Sequence, residues 1–151
     1  MRSVPTVPRH PRLASLHRLW LRHRADGHLP AAEDFDPLDL RPWGEHLVVL
    51  DIESEAQFVY AYYGNVFAAA FGGDRVGQSI DDLPAQQRAI LQEEYDRARR
   101  QGVPLTRVYT ADFGDGVATW ERLVLPLASN GKTVDKLMVA AFELPGDADD
   151  A

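Results

Sequence analysis

The last third of the chain consists of three strand-like segments separated by two glycine-containing motifs. The segments are VPLTRVYTADF, ATWERLVLPLA and KTVDKLMVAAFEL, and the motifs are GDG at 114–116 and SNG at 129–131. Glycine and asparagine tolerate the positive φ angles of tight hairpin turns, so such motifs between β-branched segments favour antiparallel pairing. Residues 103–144 therefore predict three consecutive antiparallel strands, which makes an antiparallel sheet the centre of the fold.

A shorter pair of strand-like segments lies upstream, followed by helical patterns. HLVVLDIE at 46–53 and FVYAYYG at 58–64 are rich in β-branched and aromatic residues, and SEAQ between them indicates a hairpin turn. NVFAAAFGG at 65–73 predicts a short helix, and apolar residues at helical spacing predict a long one over 84–101. Five strands, divided into two and three around a helical insert, are the result.

The N-terminal region predicts a basic amphipathic helix. Residues 1–10 are rich in proline and are expected to form a flexible lead, and a helix is expected over 11–27 with an apolar stripe of Leu13, Leu16 and Trp20. We leave open whether this stripe packs on the outer sheet face of its own chain or on that of a neighbour. Either arrangement makes a homodimer plausible.

A short helix is expected before the first strand. Asp36 suits its N-cap because a carboxylate accepts hydrogen bonds from free backbone N–H groups, and Pro37 suits the first helical position. This helix should end near Pro42 or Gly44. At the other end of the chain, residues 145–151 form an acidic tail that we expect to be disordered.

Composition and charge narrow the class of protein. With 151 residues, the chain fits one domain over 11–144. The first 25 residues hold six arginines and no acid, so the remainder carries 16 − 6 = 10 basic against 23 acidic residues, a balance of −13. Such an acidic body repels nucleic acid, so the arginines are interpreted as the solvated face of a helix. Without a membrane-length apolar run or a signal peptide, a cytoplasmic protein with neither a nucleic-acid nor a membrane partner is expected.

The order of elements and several motifs resemble the PAS superfamily. FVYAYYGNVFAAAFGGDRVGQSIDDL is similar to the PAS stretch from the second strand through a short helix, and DGVATWERLVLPLASNGKTV is similar to a later PAS hairpin. The Trp of the first helix, DFDPLDLRPW, HLVVLDIE, FGGDRVGQSIDDL and ERLVLPL together resemble the bacterial single-domain PAS_5 family over about residues 13–143. The resemblance implies an α+β fold, with a helical insert between the second and third strands of a five-stranded antiparallel sheet.

The cofactor-bearing PAS classes need residues that this sequence lacks. Adduct-forming flavin domains require a cysteine, as do coumarate photoreceptors for their thioester, and the chain contains none. Haem-binding PAS domains usually supply an axial histidine from the long helix or its neighbourhood, whereas no histidine follows His46. The other four lie in or beside the first helix without metal-ligand spacing, namely His10, His17, His23 and His28. We therefore expect no cofactor and no metal.

Two adjacent charges, Glu121 and Arg122, lie in an otherwise apolar strand. Neighbouring side chains on a strand point to opposite faces, so one of the two is expected to point inward. Parity leaves open which one, because both faces of the sheet are partly apolar. An inward Glu121 would orient a polar ligand or pair with Arg107 or Tyr109 across a pocket.

A ligand pocket is expected between the inner sheet face and the helices that follow the second strand. The candidate ligand-binding residues are Phe67, Phe71, Leu91, Tyr95, Tyr109, Glu121 and Arg122. The same apolar side chains also suit a plain filled core.

The sequence thus predicts a non-catalytic sensory or protein-interaction module of bacterial signalling. It implies an unidentified partner protein for the output and a small molecule as possible ligand. An alternative is a small cone-shaped α+β enzyme, which would need His46 to face a cavity near an acid. A structural adaptor with a filled core is a third interpretation.

Overall fold

The computed structural model describes residues 8–25, 27–53, 57–71, 73–112 and 116–144, apart from the side chains of 70, 71 and 112. Its centre is a five-stranded antiparallel sheet in the order β2-β1-β5-β4-β3. The strands are β1 (Leu47–Glu53), β2 (Gln57–Tyr63), β3 (Leu105–Asp112), β4 (Val117–Leu127) and β5 (Lys136–Glu143). The predicted α+β fold with strands divided two and three is confirmed, and the last strand lies in the middle of the sheet because it pairs with both β1 and β4.

Helices cover both faces of this sheet. They are α1 (Pro11–His23), α2 (Pro37–Leu40), α3 (Asn65–Phe71) and α4 (Ala85–Gln101), with short 3-10 helices at Ala32–Asp34, Arg41–His46 and Ile80–Asp82. The helix α4 ends where Gly102 adopts φ +64° and its amide donates to the Ala98 carbonyl, a left-handed conformation that glycine adopts without steric cost. No helix within the described residues is long and apolar enough to cross a membrane.

Side-chain alternation along the sheet produces two separate cores. On the inner face, Leu137 and Val139 of β5 pack with residues of α3 and α4, such as Phe67 and Leu91. The outer core combines residues of α1, of the segment between α1 and β1, and of the outer face of the central strands, namely Leu13, Leu16, Leu19, Trp20, Phe35, Trp43, Leu47, Leu123, Leu125, Leu127, Met138, Ala140 and Phe142. The central strands are therefore apolar on both faces.

The helix α1 lies on the outer face of its own sheet. The predicted stripe is buried there: Leu13 and Leu16 have no exposed surface, and Trp20 is 1% exposed. The indole Nε1 of Trp20 donates to the Pro126 carbonyl at 2.9 Å, and that of Trp43 donates to the Arg12 carbonyl at 2.7 Å. Of the two arrangements left open by the sequence, the structure has the intramolecular one.

Several boundaries differ from the expected ones near the N-terminus. The first helix ends at His23 rather than at residue 27, because Arg24 already has an extended conformation. Residues 8–10, expected in a flexible lead, are packed, since Pro8 is buried and the next two amides bind Glu121. The helix capped by Asp36 is shorter than expected, and a 3-10 helix over Arg41–His46 continues it to β1.

The SNG motif at 129–131 does not form a tight hairpin turn. The chain leaves β4 after Leu127 and enters β5 only at Lys136. The loop between them is ordered by side-chain acceptors, because Asn130 Oδ1 accepts from the amides of Lys132 and Thr133, and the carboxylate of Asp135 accepts from the Ser129 amide. The rest of the predicted lead (1–7), the turns at SEAQ and GDG except for Gln57 and Gly116, and the tail (145–151) fall outside the described residues.

Candidate functional site

A cavity of about 440 Å³ lies between the inner sheet face and the helices α3 and α4. Its lining residues are Val48, Tyr60, Tyr63, Phe67, Pro84, Gln86, Gln87, Ile90, Leu91, Tyr95, Arg107, Tyr109, Thr110, Ala111, Arg122, Val139 and Ala141. The exposed members, which include Gln86 and Gln87 of α4 and Thr110 of β3, mark its opening between the start of α4 and the edge strand. Apart from Arg107 and Arg122, the remaining lining residues are apolar or aromatic.

The aromatic part of the wall depends on an irregularity in β2. Tyr60 and Tyr63 are three residues apart, a spacing that places side chains on opposite faces of a regular strand. The pairing register shifts between Val49 and Leu50 of β1, whose partners are Tyr62 and Tyr60, so β2 contains one extra residue. This bulge turns both tyrosines toward the cavity, where their rings pack edge to face at 5.1 Å.

Three charged side chains form an ion-pair cluster beside the cavity. The Glu94 carboxylate, on α4, accepts from Arg122 Nε at 2.6 Å through one oxygen and from Arg107 Nε at 2.9 Å through the other. The side chains of Glu94 and Arg122 are only 6% and 11% exposed, whereas that of Arg107 is 42% exposed. One carboxylate thus serves two guanidinium groups, of which one is enclosed and one lies at the opening.

Glu94 was not among the residues singled out from the sequence, although a signal was present. It lies three residues after Leu91 and four before Ala98, so it shares the buried face of α4 with them. A carboxylate on the apolar face of a helix requires a cationic partner from the neighbouring layer. Arg122 supplies this partner, because its side chain points from β4 to the inner face of the sheet.

Tyrosine rings and hydroxyls surround the buried guanidinium. The ring centroid of Tyr109 lies 4.6 Å from Arg122 Cζ, which is a cation–π contact. Burial raises the pKa values of Tyr60, Tyr95 and Tyr109, so all three phenols are protonated at neutral pH. For Arg122, burial acts to lower the pKa, but Glu94 and the two nearest tyrosines more than offset it and raise the pKa overall. The guanidinium therefore stays charged.

Glu121 does not line the cavity. It points to the outer face and is 2% exposed, and its two oxygens accept from the amides of Arg9 at 2.9 Å and His10 at 2.8 Å. Arg122 is therefore the one of the two charges that points inward, while Glu121 is enclosed on the other side of the sheet. The expected partners of an inward glutamate, Arg107 and Tyr109, contact Glu94 and Arg122 instead.

The other candidate residues fall into two groups. Phe67, Leu91, Tyr95, Tyr109 and Arg122 are brought together as cavity lining. The side chain of Phe71 lies outside the described residues, so its place in the pocket stays a prediction.

The histidines contact the N-terminal region and the outer face instead of the cavity. His46 stacks on Phe142 with ring centroids 4.1 Å apart, and His10 stacks on the same ring at 4.8 Å. Among the described residues no histidine lines the cavity, and no group of three or more His, Cys, Asp or Glu side chains could hold a metal ion. The juxtaposition of His46 with a cavity and an acid, which the enzyme alternative required, is not found.

The free energy of unfolding is expected to fall on acidification, because His10 and His46 are half-buried. Desolvation by burial lowers the pKa values of both His10 and His46. The nearby carboxylates, Glu121 for His10 and Glu45 for His46, oppose this shift, whereas the guanidinium of Arg12 adds to it in both cases. A lowered pKa means that the unfolded chain binds more protons, so this stabilisation is complete above about pH 6.5 and is lost as the pH falls through the folded-state pKa.

The expected result is a lower urea midpoint at pH 5 than at pH 7, with a smaller difference in His46→Gln. Protonation also removes Nδ1 of His10 as acceptor for the Arg12 amide, now 3.1 Å away, which adds to the loss. Equal pH dependence in wild type and variant would contradict a contribution from His46.

The sheet order β2-β1-β5-β4-β3, with helices and a cavity on one face, defines a PAS-like domain. The sequence matches the PAS_5 family, described as a PAS domain, over residues 8–140. The chain therefore belongs to the PAS_5 family. PAS domains as a class are sensory and signalling modules and are generally not catalytic. No curated protein sequence matches the chain.

Solved structures with the same fold come from light and kinase signalling. A light-oxygen-voltage domain studied with a flavin analogue has a TM-score of 0.52 and 17% identity, covering 74% of this chain and 85% of its own. The dark form of the blue-light photoreceptor Aureochrome1 LOV has 0.52 and 18%, covering 76% and 87%. A sensory box sensor histidine kinase from Vibrio cholerae has 0.52 and 13%, covering 72% and 92%. The TM-scores show a common fold, and identities this low show nothing beyond the fold.

Proposed function

We propose that this protein is a non-catalytic sensory module that binds a small molecule in the cavity and passes the signal to a partner protein. The observation that supports the proposal most strongly is the cavity of about 440 Å³, which has aromatic walls and a charged cluster at one side. Small-molecule sites typically have about 300–1,000 Å³ and combine apolar walls with a few polar groups. A filled adaptor core would instead have few voids larger than a water molecule.

The lining residues favour binding over catalysis. Among the described lining residues are tyrosines, glutamines, arginines and one threonine, but no histidine, cysteine, serine or carboxylate that could act as nucleophile or general base. Sensing without turnover fits this composition. The flavin of the light-oxygen-voltage neighbour does not transfer as an adduct, because the chain contains no cysteine. We accordingly propose a ligand held without a covalent bond, and neither haem nor coumarate as cofactor.

A route for the signal is suggested by two adjacent residues of β4. Arg122 lies in the cavity wall, and Glu121 holds the backbone that leads into α1 from the opposite face. A ligand that shifts β4 at Arg122 also displaces Glu121, one peptide unit away, and biases the docking of α1. Because the stripe of α1 is covered by its own sheet, a homodimer, which we retain as a proposal, must form through another surface.

The test of ligand binding is a cavity-filling substitution. Leu91→Trp places a larger side chain in the cavity, so a ligand detected by native mass spectrometry or by a thermal-shift screen of metabolites should no longer bind. The cost in unfolding free energy should be modest, below about 1–3 kcal/mol, because open space accepts the extra atoms. Ala89→Trp, at an exposed position of the same helix, is the matched control and should bind normally.

Two results would contradict the proposed function. One is a Leu91→Trp protein that unfolds, as overpacking of a solid core would cause. The other is a broad metabolite screen without any binder to the folded wild type. Absorption of the purified protein should show no band above the aromatic region, and a copurified chromophore would overturn the proposal on cofactors.

A further inference from the structure

We infer that the ligand of this cavity is a small organic anion, a carboxylate on an aromatic or branched apolar body. The inference rests on the proposed function and assigns the chemical class of its ligand. The charges around the cavity, the burial of those charges, and the volume and apolar character of the walls support it.

The charge count at the cavity is positive although the protein is acidic. Two guanidinium groups and one carboxylate, Arg107, Arg122 and Glu94, sum to +2 − 1 = +1, while the whole chain has a net charge of −7. Within the part of the chain that the structure describes, the lining contains both arginines and no acidic residue. A cavity with an excess cation attracts an anion, and its apolar walls strengthen that attraction because they exclude water.

The cation cannot be removed by proton loss. Arginine is not deprotonated in proteins, so both guanidinium groups of the cluster stay charged at any pH at which the fold persists. Arg122 is enclosed and obtains its counter-charge from Glu94, which it shares with Arg107 at the opening. A carboxylate in the cavity would restore charge balance, since +1 − 1 = 0.

The geometry of the guanidinium groups suits a carboxylate. Each arginine directs Nε toward Glu94, so the other four of its five N–H donors are on the terminal nitrogens. Guanidinium and carboxylate match as planar, bidentate partners. The protonated hydroxyls of Tyr60, Tyr95 and Tyr109 are further donors, and no carboxylate among the described lining residues competes for them.

The volume and the apolar residues of the walls determine the size of the ligand and the chemistry of its uncharged part. A volume of about 440 Å³ lies near the lower end of the range for ligand pockets, which suits a compact molecule with one ring or a branched chain. Phe67, Leu91 and Val139 provide apolar surface on three sides. A cationic ligand would meet the excess positive charge, because Glu94 already binds two guanidinium groups.

The experiment compares three probes that share a phenyl ring and differ in charge. Phenylacetate is negative, phenylacetamide is neutral, and phenethylammonium is positive. Benzoate, indole-3-acetate and hexanoate extend the acid series. Affinities are measured by isothermal titration on the full chain at two salt concentrations. We expect at least one acid to bind, its neutral amide to bind about tenfold more weakly or not at all, and the affinity of the acid to fall as salt is added.

The matched variants separate charge from fold. Arg107→Gln, at a half-exposed position, should weaken the acid about tenfold and leave the amide unchanged. Arg99→Gln is the matched control, because Arg99 pairs with Asp96 on α4 away from the cavity lining. It should change neither the affinity for the acid nor that for the amide. Circular dichroism and the unfolding midpoint check that both variants are folded.

The possible outcomes distinguish this inference from the proposed function. Equal affinity for acid and amide, or an unchanged acid affinity in Arg107→Gln, overturns the inference. Binders that are all neutral or cationic in the broad metabolite screen also overturn it, while the sensory function stands. A screen with no binder of any charge overturns the proposed function and the inference together.

Discussion

Replacing Glu94 by alanine is expected to lower the free energy of unfolding by about 3–5 kcal/mol. The substitution leaves the Arg122 guanidinium, 11% exposed, without its carboxylate in a largely apolar surrounding, where a lone charge is poorly solvated. Arg107 can turn toward solvent because it is 42% exposed, so Arg122 accounts for most of the loss. Urea denaturation followed by circular dichroism measures it, with the midpoint falling at constant slope.

Two further variants test the cause of this loss. Glu93→Ala removes an exposed carboxylate from the same helix, one that pairs with Arg97 at 3.4 Å, and should cost less than about 1 kcal/mol. The double variant Glu94→Leu, Arg122→Met removes both enclosed charges and should recover most of the lost stability, because the only ion of this cluster left without its partner, Arg107, lies at the opening and can reach solvent. If Glu94→Ala were as mild as Glu93→Ala, the cluster would not be an enclosed ion pair in solution.

The strands could be predicted from local composition, whereas their faces could not. β5 is apolar at consecutive positions because the inner residues Leu137 and Val139 contact the inner core, while Met138 and Ala140 contact α1. A strand in a sheet that is covered on both faces loses the alternation of apolar and polar residues, which would otherwise show which side chains point to which face. For the same reason, the sequence left open which of the charges at 121 and 122 faces the ligand cavity.

The residues that the sequence failed to assign depend on contacts between distant segments. The position of Glu94 on an apolar helix face was visible, but its two partners come from β3 and β4. The joint orientation of Tyr60 and Tyr63 depends on a bulge, for which the segment has no glycine marker. The composition of the SNG motif permits a tight turn, yet the loop is longer and is held by the side chains of Asn130 and Asp135. Composition shows what a turn tolerates and does not give its length.

The second large effect is expected at the outer face. Trp20→Ala should lower the free energy of unfolding by about 3–5 kcal/mol, since it removes a side chain that is 1% exposed and leaves a cavity between α1 and the sheet. It also removes the hydrogen bond from Nε1 to the Pro126 carbonyl. Leu21→Ala, one residue further along at a position 45% exposed, is the matched control and should change stability by less than about 0.5 kcal/mol.

The dependence on protein concentration then decides which sheet α1 covers. If α1 docks on its own sheet, the monomer folds by itself, so at concentrations where light scattering shows only monomer the wild-type unfolding midpoint does not depend on concentration, whether or not a homodimer forms through another surface at higher concentration. If α1 docks on a neighbour's sheet, the midpoint rises with concentration, because folding and association are coupled. Trp20→Ala adds a second readout, since an undocked α1 uncovers the outer residues Leu123 and Leu125, a continuous apolar surface that promotes association. A wild type whose midpoint is independent of concentration while it is monomeric, together with a variant that self-associates on light scattering, is the combination that intramolecular docking requires; a wild type that unfolds when it dissociates to the monomer would contradict it.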